Sequence, residues 1–247
     1  FHETTVKALR YTAKESGGHE GIYAIPLTYK STVLFYNTDA FKGQEPPRTT
    51  DELLSYLQAN TQTCDKKEVE CDKGKEEAKC DKEAAKCKPH YGLIYSNTDL
   101  FFHSVWLNGF GGRLFDENGR IELKNEGNAA SIEFAKKLNQ YIPSGINGAR
   151  IKTLFYDGDS DMVINGPWFM AELPEQTAEA EARKRAKWEK DHPGKPFHYL
   201  HYHVATLPQI TEPGAPANAY GSPYVTAEGI YMARDTKSSM ALSRMRE

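Results

Sequence analysis

Two hydrophobic periods alternate along this chain, and their order predicts its elements. Apolar, β-branched runs ended by turn residues occur at "GIYAIPL", "STVLFYN", "YGLIYSN", "DMVIN", "YHVATLPQI" and "GSPYVTAEGIYMA", and each reads as a strand. Between them, apolar residues recur at helical spacing in "HETTVKALRYTAKE", "TTDELLSYLQAN", "DLFFHSVWLNGFGG" and "NEGNAASIEFAKKLNQYI", with a short helical turn in "IKTLFYDG". Thr49 and Glu52 have capping-box spacing at the start of the second helix, and Ile132, Phe134, Ala135 and Leu138 are expected near the buried face of the fourth. "RLFDENGRIEL" reads as a hairpin turning at Asn118-Gly119. The pattern is α/β with mixed connections and no internal repeat.

One junction focuses the search for a site. In "DMVINGPWFM" a buried-strand pattern stops at Asn165-Gly166-Pro167. Glycine turns freely there, and proline lacks a ladder donor but suits the first turn of a helix. Trp168 therefore falls at the C-terminal end of a strand, where open α/β sheets bind ligands. "WFMAEL" begins a helix, and "AEAEARKRAKWEKD" is expected to continue it, over about 172–192, as a solvated charged rod.

All four cysteines sit within residues 61–89. Cys64, Cys71, Cys80 and Cys87 are spaced by 7, 9 and 7. Seven residues are about two helical turns, so each pair lies on one face of its own helix, with a turn at Gly74 between them. In an antiparallel helical hairpin this symmetry sets Cys64 opposite Cys87 and Cys71 opposite Cys80, a pair of nested disulfides. Between Cys64 and Cys87, 15 of 24 residues are charged, so covalent staples must replace a core. Four cysteine ligands to zinc are the rival arrangement, although zinc sites use shorter gaps. Disulfides point to an oxidising compartment.

Composition narrows the classes. The 247 residues are 39% hydrophobic and 26% charged, enough for one large or two modest domains. Lys+Arg of 31 against Asp+Glu of 34 gives a net charge of -3, and no basic stretch interleaved with aromatics marks a nucleic-acid surface. No run approaches the roughly 20 apolar residues that span a bilayer. The chain does not open on Met and stops in mid-pattern at "ALSRMRE", as expected of a piece of a longer or processed protein.

Five segments in order carry a resemblance. "GIYAIPLTYKSTVLFYNTDAF…PPRTTDELL", "NGFGGRLFDENGRIEL", "FYDGDSDMVINGPWFM", "VATLPQI" and "GSPYVTAEGIYMARDTK" resemble the extracellular solute-binding proteins of ABC sugar importers, in particular their maltose-binding branch. The resemblance implies a periplasmic binding protein-like fold: two α/β lobes with mixed sheets, hinge strands, and a sugar held between the lobes. Residues 1–27 would belong to the first lobe, 28–206 to the second and 207–247 to the return, with the first lobe incomplete. Ile25-Pro26-Leu27 and Thr206-Leu207-Pro208 would be hinge strands lying side by side.

By the same resemblance Trp168 is the ring that stacks on the sugar, which suits the apolar C–H face of a pyranose. A core tryptophan is the plainer alternative. Phe101 matches a cleft aromatic and Asp99 a neighbouring carboxylate, although Asp99 also fits the negative charge favoured in a first helical turn. Tyr29 and Lys30 follow the first hinge strand. The maltose-binding branch carries an acid where this chain has Lys30, which argues for a more acidic or differently hydroxylated ligand than maltodextrin. Tyr224 is a first-lobe candidate or a strand aromatic.

Other patterns lack the context their chemistry needs. "DGDSD" at 157–161 begins like a calcium loop but has Met162 and Trp168 where glycine and glutamate belong. His201 and His203 would share one face of a strand with His198 pointing away, and the three are not expected to hold a metal. "GFGG" follows a helix, and there is no P-loop or nucleophile elbow. The resemblance therefore implies a monomeric periplasmic or extracellular protein, lipid-anchored or free. It would need no cofactor or metal, perform no chemistry, and deliver a sugar or oligosaccharide to an ABC permease. A ligand-sensing module for a chemoreceptor or kinase and a carbohydrate-active enzyme are the alternatives.

Overall fold

The structure, a computed structural model, describes residues 3–12, 20–63, 88–143 and 145–231. The cysteine-rich segment and its expected disulfides lie outside the described residues. The chain forms two compact units, Phe1–Ser31 with Tyr224–Glu247, and Thr32–Pro223.

The first unit is built on two antiparallel strand pairs. Helix α1 (Glu3–Ala8) precedes β1 (Arg10–Thr12), which pairs with β2 (Glu20–Ile22), and β3 (Ala24–Lys30) pairs with β7 (Thr226–Tyr231). The expected helix over "HETTVKALRYTAKE" is thus cut short, because Arg10–Thr12 joins a ladder. The register of β3 slips between Pro26 and Thr28, where proline offers no donor.

The expected hinge pairing is corrected here. The ladder partner of β3 is β7, not residues 206–208. Those residues belong to the second unit, where Leu207 is part of the core and the Pro208 carbonyl accepts from Gly221 N at 2.9 Å. The crossings between units fall at Ser31–Thr32 and Pro223–Tyr224.

The second unit is organised by the sheet β5 (Met162–Asn165), β4 (Val33–Asn37), β6 (Tyr202–Ala205), antiparallel throughout. Tyr91 and Ile94 add isolated parallel bridges to Ser160 and Val163 on the free side of β5, so the "YGLIYSN" run touches the sheet without forming a regular strand. Flanked on both sides, β5 is wholly buried, which explains its unbroken apolar run.

Helices cover this sheet, and their caps follow the sequence. They are α2 (Thr38–Phe41), α3 (Thr50–Asn60), α4 (Leu100–Gly109), α5 (Glu126–Asn139), α6 (Gly148–Tyr156) and α7 (Ala178–Asp191). Thr49 and Glu52 form the expected capping box on α3. On α5 the buried residues are Asn128, Ser131, Phe134 and Leu138, while Ile132 is 50% exposed, contrary to expectation. The inner face is partly polar because Asn128 serves the backbone of the preceding loop: its Oδ1 accepts from Arg113 N at 2.8 Å and its Nδ2 donates to Leu123 O at 3.0 Å. That loop is the expected hairpin, turning at Gly119 (φ 73°) with Asp116 Oδ1 accepting from Asn118 N and Arg120 N.

Candidate functional site

The strand-to-turn junction at 165–168 is held by local chemistry. Asn165 is buried and its Oδ1 accepts from Gly166 N at 2.8 Å, satisfying a backbone donor that leaves the ladder. Pro167 opens a 3-10 helix, Pro167–Glu172. The indole of Trp168 lies back over Gly166, where an added Cβ would come within 2.0 Å of the ring. Glycine is therefore required by close approach. Phe169 points the other way, into the core, edge-on to Phe35 at 5.4 Å. Trp168 is left 37% exposed. It is not a core tryptophan.

Helix α4 supplies the second part. Asp99 is its N-cap, with Oδ1 accepting from Phe101 N at 2.8 Å. The Phe101 ring stands 6.0 Å from the Trp168 ring at 46°, and the two form an angled aromatic surface. Trp106 anchors the same helix inward, packed 4.9 Å from Phe134 with its Nε1 donating to Tyr95 Oη at 3.2 Å. Three of the six predicted ligand residues thus converge: Trp168, Phe101 and, at the rim, the exposed carboxylate of Asp99. The capping role of Asp99 coexists with this position, since only one of its oxygens is used among the described residues.

The other three belong to the first unit. Tyr29 is exposed on β3 and sits opposite Ala227. Lys30 forms an ion pair with Glu228, its diagonal neighbour on β7. Its charge is therefore matched within the protein, which removes the reason for expecting an acidic ligand. Tyr224 is half-buried, and burial raises its phenol above the usual range.

Several other ionisable groups serve the scaffold. Asp161 is buried and accepts from Tyr56 Oη at 2.9 Å, with His90 Nε2 at 3.0 Å from its other oxygen. That hydrogen bond raises the His90 pKa against the opposing effect of burial. Asp159 pairs with Lys88 at 2.5 Å. Asp159 and Asp161 of "DGDSD" thus hold Lys88 and His90, which follow the cysteine-rich stretch. His198 Nε2 donates to Tyr156 O, and His201 lies between Asp39 (3.0 Å) and Glu181 (3.1 Å), so these two histidines do not share a site. Among the described residues no group of His, Cys, Asp and Glu could hold a metal, and no helix is long and apolar enough to cross a membrane.

Helix α7 does not continue the turn after Trp168. The chain breaks at residues 173–177 and restarts with Thr177 as N-cap. Nor is α7 a bare rod. Trp188 and His192 stack at 3.9 Å and 21°, and with Phe197 they line a cavity of about 410 Å³. Sequence reasoning missed this, although an aromatic at i and a histidine at i+4 share a helix face.

Residues 3–241 match the bacterial extracellular solute-binding protein family. A galactooligosaccharide-binding protein of Bacillus subtilis is 24% identical over 160 residues, covering 60% of this chain and 32% of that protein. A maltooligosaccharide ABC transporter solute-binding lipoprotein of Streptococcus pneumoniae is 26% identical over 198 residues, 76% of this chain and 37% of the relative. Among solved structures, a cyclo/maltodextrin-binding protein complexed with maltotetraose matches with a TM-score of 0.63 at 21% identity, covering all of this chain and 51% of that one. The Thermus thermophilus maltotriose binding protein bound with maltotriose matches with a TM-score of 0.59 at 22% identity, over 97% of this chain and 50% of its own. The fold is shared, and the chain spans about half the length of these structures and about a third of the curated relatives.

Proposed function

This chain belongs to the bacterial extracellular solute-binding protein family, and on that premise we propose that it captures an oligosaccharide outside the cytoplasm and passes it to an ABC permease. The observation that supports this reading best is the exposed Trp168 set at 46° to Phe101 with Asp99 beside them. Two tilted rings cover the C–H faces of successive pyranoses, and a carboxylate accepts from ring hydroxyls. Relatives named for galactooligosaccharide and maltooligosaccharide favour a neutral oligosaccharide, as does the ion pair that neutralises Lys30.

The protein acts by binding, as a monomer, without bond-making. The ligand rests on the aromatic surface of the second unit. Closure acts through the two chain crossings at Ser31–Thr32 and Pro223–Tyr224, and the closed form is what the transporter engages. The test is a thermal-shift screen of the chain against malto- and galactooligosaccharides. A ligand at 100 times its Kd should add about 2.7 kcal/mol to stability. No shift with any neutral oligosaccharide, together with a shift from a different class of solute, would replace this reading.

A further inference from the structure

The cavity beside α7 shares no residue with the Trp168 surface. Its volume of about 410 Å³ lies within the range of small-molecule sites. Its walls are aromatic: Trp188 stacked on His192, with Phe197 and Tyr156 completing them. Its rim carries both signs of charge, with Asp157 and Asp191 against Lys184 and Lys187. Neither aspartate forms an ion pair among the described residues, so both keep acceptor capacity for a ligand.

A rim whose formal charges cancel gives no net attraction to an anion or a cation. Flat apolar walls with hydrogen-bonding groups at the edge suit a neutral molecule that has C–H faces and peripheral hydroxyls. We infer that this cavity is a second saccharide-contact site, taking one end of a neutral oligosaccharide against Trp188. The inference rests on the reading of the protein as an oligosaccharide binder. Such a site would raise the local concentration of sugar chains at the protein and bind more weakly than the Trp168 surface, because His192 already covers one face of the Trp188 ring.

The three tryptophans allow a direct test in the full chain. Trp106 is fully buried and serves as a constant background, while Trp168 and Trp188 can be removed separately. In the Trp168→Phe variant, titration with maltotriose should change Trp188 emission along a saturable curve in the millimolar range. Adding Asp191→Asn to that variant should weaken the response severalfold, because a carboxylate acceptor is lost. In Trp188→Phe the Trp168 response should persist with unchanged midpoint. Silence at Trp188 overturns the second site, and so does a linear, non-saturating change or one unaffected by Asp191→Asn. If Trp168 still responds in Trp188→Phe, the proposed function stands without the second site. If both tryptophans are silent, both fall for this sugar series.

Discussion

Trp168 and Phe169 are consecutive aromatics with opposite surroundings, and substitution should separate them. Phe169 packs against Phe35 and Phe155, so Phe169→Ala should cost about 3–5 kcal/mol of folding stability. Trp168→Ala removes a partly exposed ring and should cost about 1 kcal/mol or less, read from denaturant midpoints. A comparable loss at both positions would return Trp168 to the core. Gly166→Ala is the third member of the set. Its new methyl group would meet the indole at 2.0 Å, so the ring must leave its place, with a loss of about 1 kcal/mol or less, no more than removing the ring costs, and a shift in tryptophan emission. At this scale the sequence was informative: "NGPW" announced a break followed by a displayed aromatic. It could not show that glycine is needed because the ring folds back on it, since that contact depends on the Trp168 rotamer.

At the scale of elements, one histidine helps tie α7 to the body. His201 Nδ1 faces Asp39 on α2 and Nε2 faces Glu181 on α7, which Arg185 also contacts at 2.8 Å. Carboxylates only accept, so both ring nitrogens must donate and the imidazolium is favoured. Hydrogen bonds to Asp39 and Glu181 raise the His201 pKa, and the bond from His201 lowers that of Glu181. A raised histidine stabilises fully below its unfolded pKa of about 6.5, and the contribution is lost as pH rises through the folded value. The stability difference between the wild type and His201→Gln should therefore be largest in mild acid and shrink with rising pH. A constant difference would contradict the tie. The comparison with the variant is needed because His90 is also raised while half-buried His103 is lowered by desolvation, so the whole profile mixes signs.

The cysteine-rich segment gives a second element-scale prediction. Its flanks are held together by reciprocal backbone bonds between Gln62 and His90, 2.8 and 2.9 Å, so the segment leaves and re-enters at one point. Non-reduced peptide mapping should recover Cys64–Cys87 and Cys71–Cys80, and reduction should leave cooperative unfolding of the body intact. Recovery of Cys64–Cys71 with Cys80–Cys87 would refute the hairpin. Elements fixed by local chemistry were legible in sequence: the capping box of α3, the buried run of β5, the turn at Gly119. Those decided by distant partners were not. Arg10–Thr12 becomes a strand because residues 20–22 pair with it, and α5 buries Asn128 because Arg113, 15 residues earlier, donates to its amide. The aromatic cavity at α7 was hidden by the helix's high charge, although the Trp188 and His192 spacing was there to be read.

In the whole molecule, the second unit carries the Trp168 and Phe101 surface, on a 3-10 helix and on α4, while Tyr29 and Tyr224 belong to the first unit. The alternation of strand and helix patterns made the fold class readable, and five segments in order made the family readable. The boundaries were less so, because residues 206–208 resemble a crossing strand yet pack within the second unit. The measurement that bears most directly on the central claim is calorimetric titration of the chain and its Trp168→Ala variant with malto- and galactooligosaccharides. The wild type should bind at least one series with one dominant site, and the variant's affinity should fall about thirtyfold or more, as truncation of an aromatic hot spot costs about 2 kcal/mol or above. Equal affinity in the two proteins, or no binding heat from either series, would contradict it.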